Sequence, residues 1–258
     1  MTQPSEIVAA EDVPADLVRV VDDRVVRAEM AAWRARTLKA PGLWDRATRG
    51  TQDRINRIIP EQVHAAVTAG VEALTQGLLT GSEVLKPRPE RPGTLAAGEA
   101  RARAILKRYR NTASVEGGVA GAGGFLLAAA DFPALMAIKV RMLAEMVAAH
   151  GWGGGSARER LFLLAIFHLA FASARRRPEA LQALDDWIAG VNQPADVADY
   201  DWRAFQIEYR DFIDLAKLAQ LLPVVGAPVG AVVNWRLVER LGETAVMACR
   251  MRGLAEGD

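Results

Sequence analysis

The chain is predicted to be all-α: a multi-helix domain with glycine-rich apolar helical hairpins and an N-terminal helical arm. Three observations predict it. Alternating strand patterns are absent, and aromatic residues make up only 6% of the chain. Ala, Leu, Arg and Glu dominate, and these are good helix formers. Hydrophobic residues reach 51%, enough for a real core, and they recur at helical spacing between proline and glycine breaks.

The N-terminal sixteen residues, MTQPSEIVAAEDVPAD, lack a basic n-region and an apolar h-region, so they do not read as a secretory signal. Residues 1–15 are expected to form a mobile tail on a cytoplasmic protein. From 16 to about 39, apolar residues fall at Leu17, Val20, Val21, Val25, Met30 and Trp33 on one helix face, and Pro41-Gly42 stops it. Further helices are expected over 44–58 and, opened by Pro60, over 60–84. Together, 16–85 form the arm. The stretch KPRPERPG at 86–93 reads as a linker, with the boundary at 94.

The body is expected over 95–254. It opens with a basic helix over 95–110, followed by the glycine run and a helix over 132–150. GWGGGS at 151–156 is a loop in which Gly151 ends the preceding helix. LFLLAIFHLAFASA at 161–174 is apolar almost all round, so it is either buried or in contact with a membrane. A short helix over 178–189 and a polar loop over 190–198 follow. The last two helices cover 200–222 and 224–252, separated by Pro223.

The glycine run VEGGVAGAGGFLLAAADFPALMAI at 115–138 raises the main question. A phosphate-binding loop needs Lys-Ser or Lys-Thr after its glycines, and none occurs here. A dinucleotide fingerprint starting at Gly121 fails at Leu126. As a helix, Gly117, Gly121, Gly124 and Ala128 line one face. Five glycines in a helix interior cost on the order of 5 kcal/mol against alanine. Close approach of another backbone would offset that cost, as in small-xxx-small contacts. Gly226 and Gly230, followed by Asn234, form a second such stripe, and the two are expected to pack near each other. Residues 119–138 are long enough to span a bilayer. Their few large apolar residues, at ~−0.3 to −0.6 kcal/mol each, are cancelled by Asp131 at ~+3 kcal/mol. A bent hairpin is therefore expected, with Asp131 as N-cap and Pro133 in the first turn of the next helix.

GGVAGAGGFLLAAADFPALMAIKVRMLAEMVAAHGW, 117–152, resembles the signature region of the EcsC protein family: a glycine-rich apolar stretch, Asp-x-Pro, then an apolar helix ending near a glycine and an aromatic. LAQLLPVVGAPVGAVVNWRLVERLGETA, 218–245, resembles that family's closing motif, with Pro223, Gly226, Gly230 and Asn234. The resemblance covers about 40–252. One departure is His150 where an aromatic is usual, with Trp152 following. The resemblance implies a bacterial, mostly helical, membrane-associated or lipid-handling protein of a family named after an ABC-transporter operon. It supplies no substrate.

No catalytic constellation is visible. Glu61 and His64 match half of a di-iron helix motif without the second half, and three histidines make a zinc site poor. The lone Cys249 gives neither a disulfide nor a thiolate metal site. Glu208, Asp211 and Asp214 read as a solvated, ion-paired face. Neither catalytic residues nor a cofactor is expected. Net charge is +1, so no nucleic-acid partner is expected. Arg101, Arg103, Lys107 and Arg108 could meet anionic lipid, as could Arg175, Arg176 and Arg177. The triplet could instead be placed for a helix C-terminus. The expected function is non-enzymatic: peripheral membrane or lipid binding at the inner face of the membrane. The alternative is an interaction partner of an ABC transporter or another membrane complex.

Overall fold

The computed structural model describes residues 23–39, 94–122, 132–153, 155–191, 197–200 and 226–257, with 77, 87–89 and 194 besides. Six helices lie in them: α1 (Asp23–Leu38), α2 (Leu95–Ala122), α3 (Phe132–Ala148), α4 (Ala157–Phe171), α5 (Arg177–Ala189) and α6 (Gly226–Glu256). A 3-10 turn, Val197–Asp199, completes them, and no strand occurs among the described residues. The all-α expectation holds.

Several of the described helix ends follow from local chemistry. Thr94 Oγ1 accepts the Ala97 N–H at the start of α2, and Ser156 Oγ accepts the Glu159 N–H at the start of α4. Gly151, at φ 85°, turns the chain after α3, and Gly190, at φ 71°, closes α5 in the left-handed conformation. Pro178 sits in the first turn of α5, where its missing N–H costs no helix hydrogen bond.

Several ends differ from expectation by a few residues, α3 stopping at Ala148 and α6 running on to Glu256, and two differences matter more. α2 does not stop at 110 but continues through Gly117 and Gly121 to Ala122. α4 stops at Phe171, because Ala172 turns to extended backbone. Arg175 and Arg176 therefore belong to the turn that leads into α5, and Arg177 is the first residue of α5. The expected helices at 44–58, 60–84 and 200–222 lie outside the described residues except for 77 and 200, as do 86 and 90–93 of the linker and the bend at 123–131.

α6 is the organising helix and packs against all five others. Its partnership with α2 is the most extensive, and the two run antiparallel. Leu95 faces Gly253, Glu99 binds Arg250, Leu106 faces Gly242, and Arg110 binds Glu239. A Cβ on Gly242 would lie 2.2 Å from Leu106 Cδ1, so that leucine occupies the space a side chain would need. The expected contact between the stripe of Gly117 and Gly121 and that of Gly226 and Gly230 lies outside what is described of these side chains.

α4 is enclosed. Phe162, Leu164 and Ile166 are fully buried, and Phe162 stacks on Trp187 of α5 at 4.3 Å between ring centres. An apolar helix with no polar stripe needs cover on every side, and α3, α5 and α6 supply it here. That resolves the reading of 161–174 in favour of a buried helix. α1 is fastened by two ion pairs, Arg34 to Asp185 of α5 and Glu29 to Arg250 of α6.

Candidate functional site

α4 and α5 diverge enough to leave a cleft of about 450 Å³. Leu161, Ala165 and Trp187 form apolar walls, while Gln182 and Asp186 stand among the polar lining residues. Tyr200 Oη and His168 Nδ1 share a 2.7 Å hydrogen bond at the cleft, bringing the 3-10 turn against α4. The volume and the mix of an apolar wall with a few polar groups match a small-ligand site.

Below the cleft lies a charged, aromatic core. Arg252 donates to both carboxylate oxygens of Glu159, at 2.8 and 2.9 Å, and to Glu256 at 2.8 Å. Its guanidinium lies over Trp152 at 4.4 Å and Trp187 at 4.9 Å. Burial alone would lower the Arg252 pKa, but the hydrogen bonds it donates to Glu159 and Glu256, with their charges, outweigh that and raise it. Glu159 is the third residue of an S-x-x-E start, yet its carboxylate is spent on Arg252. Cys249 is also buried here, and burial pushes its thiol far above the ordinary range. A thiolate nucleophile would need the opposite environment.

The residues singled out from the sequence are distributed as follows. Gly117 and Gly121 lie in α2, Pro133 is the second residue of α3, and Gly226 and Gly230 open α6. Gly124, Asp131 and Pro223 lie outside the described residues, as do Glu61, His64, Glu208, Asp211 and Asp214. Asn234 is buried, and its Oδ1 accepts from the buried Lys139 Nζ at 3.2 Å. Most of the basic stretch on α2 is engaged with acids. Arg103 pairs with Glu99 and Glu243, and Arg108 pairs with Glu145. Arg101 Nη2 donates to the Ala149 carbonyl, while Lys107 is exposed. Of the triplet, Arg175 and Arg176 are exposed, Arg176 pairs with Glu179, and Arg177 Nε donates to the Ala172 carbonyl.

Sequence reasoning missed Lys139, Tyr200 and the Glu159–Arg252 pair. Lys139 carried a signal, as a single lysine in the apolar run ALMAIKV. The pair carried almost none, since 93 residues separate its members.

Among the described residues no group of three His, Cys, Asp or Glu side chains is placed to hold a metal. No described helix is long and apolar enough to cross a membrane. Comparison with known sequences bears on the two motifs. The EcsC protein family matches residues 24–254.

The chain belongs to the EcsC protein family.

The match begins earlier than the resemblance read from the motifs and takes in almost all of α1. Protein EcsC of Bacillus subtilis (strain 168) is 34% identical over 238 residues, 92% of this chain and 98% of that protein. The uncharacterized protein YdbA of the same organism is 24% identical over 234 residues, 83% of this chain and 86% of its own length. No solved structure matches.

Proposed function

We propose that this EcsC-family chain is a non-enzymatic lipid-handling protein that works peripherally at the inner face of the cell membrane. The α4–α5 cleft receives an acyl chain or an equivalent apolar group. The cleft is the observation that supports this reading. Leu161, Ala165, Ala183 and Trp187 give it an apolar wall, its volume of about 450 Å³ suits a folded-back chain end, and Glu179 and Asp186 stand among its polar lining. Pro178 and Glu179 line it, so the exposed Arg175 and Arg176 stand one turn from its edge. Exposed arginines there favour an anionic surface by about 1 kcal/mol each.

The test is saturable binding of a fluorescent fatty-acid probe. Ala165→Phe should fill the cleft and weaken binding by about tenfold or more, at about 1.4 kcal/mol per factor of ten. Binding that is absent in the wild type, or unchanged in Ala165→Phe, contradicts the proposal. In that case, capture of this chain on membranes that survives lipid extraction would favour the other reading, an accessory factor of a transporter or similar complex.

A further inference from the structure

A second pocket, of about 300 Å³, opens where α1, α4, α5 and α6 meet. Three guanidinium groups line it, one from each of three helices: Arg36 of α1, Arg177 of α5 and Arg240 of α6. One carboxylate, Glu243, shares the lining, and it already pairs with Arg103 at 3.1 Å. Thr37 adds a hydroxyl, and Trp33 and Leu169 form an apolar wall.

Three guanidinium groups in one lining make the pocket attractive to an anion. Burial first, and then the charge of Arg177, hold the Arg240 guanidinium down to about 10, still protonated at neutral pH. The hydrogen bond from Arg177 Nε to the Ala172 carbonyl orients that side chain. Guanidinium forks match the oxygens of a phosphate two at a time, which a lysine cluster would not do.

We propose that this pocket binds a phosphate group, as a monoester or diester, with Arg36, Arg177 and Arg240 as its ligands and Trp33 and Leu169 against the esterified carbon. The group could come from a phospholipid headgroup or from a soluble phosphate compound, since the recognition chemistry is the same. The inference stands independently of the acyl cleft.

Calorimetric titration of the full chain with inorganic phosphate, against chloride at equal ionic strength, tests the site. Flotation with phosphatidylglycerol and phosphatidylcholine vesicles identifies the source. Saturable binding to either probe is expected. Arg36→Gln and Arg240→Gln should each weaken it by about tenfold or more, as for loss of a charge-assisted bidentate contact. Arg175→Gln, an exposed arginine outside the pocket, should leave phosphate binding in the calorimeter unchanged. Flotation that phosphate competes away assigns the headgroup, while phosphate binding without flotation assigns a soluble compound. No binding to phosphate or to vesicles overturns the proposal. An equal loss in Arg175→Gln does so too, because it would reveal attraction to net charge alone. Arg36 is exposed, so its variant decides the matter even if Arg240→Gln fails to fold.

Discussion

The α2–α6 pair is fastened differently at its two ends. Between Leu95 and Arg110 on one helix, and Glu239 and Gly253 on the other, large side chains sit over single glycines. Ion pairs flank them: Arg103 to Glu243, Arg110 to Glu239, and Arg250 to Glu99. At the other end, 117–122 and 226–233 contain no charged residue and are rich in Gly, Ala and Val. Ion pairs are directional and specify a register, whereas small residues permit close approach without choosing one. The register of the glycine-rich end is therefore imposed from the charged end.

The largest effect should come from the charged end. Glu99→Ala removes both oxygens that bind Arg250 and leaves it Glu29, whose side chain is half exposed. Breaking a buried pair on one side costs about 3 kcal/mol, read from the denaturation midpoint. Gly242→Leu comes next. It competes with Leu106 for the same space and should cost about 2 kcal/mol, as overpacking does. Adding Leu106→Ala should restore part of that loss, and a double-mutant cycle would measure the coupling. Gly121→Leu should cost about 1 kcal/mol or more if the glycine-rich end is closely packed. An unchanged melting temperature there would break the comparison.

Acid should act on the charged end first. Burial alone would raise the Glu99 pKa, but hydrogen bonds from Arg250 and Arg103 outweigh it and hold the carboxyl below 4.5. A carboxylate depressed in the folded state stabilises above its unfolded value, and that stability is lost as pH falls through the folded value. Melting temperature should thus decline below about pH 4.5, and less steeply in Glu99→Gln. The smallest effect belongs to Arg108→Gln. Its pair with Glu145 is largely solvent-exposed on the arginine side, so it should change stability by less than about 1 kcal/mol.

The all-α class, α3, α5 and the turn at Gly151 were legible because apolar periodicity and backbone punctuation are local signals. Asn234 was legible as the residue that ends a small-residue stripe. The helical glycine run was legible from its small-residue spacing, but its fusion with the basic helix into one unbroken α2 was not, because the glycines argue locally for a break. Gly242 and Gly253 gave no signal either. Each sits alone among charged residues, in RLGET and RMRGL, and its importance is visible only when Leu106 or Leu95 is opposite. The two pockets were also hidden. Arg36, Arg177 and Arg240 share no motif, and His168 meets Tyr200 only through the turn at 197–199.

Native mass spectrometry of the chain, released gently from the cells that made it, tests lipid handling most directly. The expected spectrum shows a co-purifying phospholipid or fatty acid that is lost in Ala165→Phe. A clean apo mass for the wild type, with the fold intact, would contradict that account and turn attention to a protein partner.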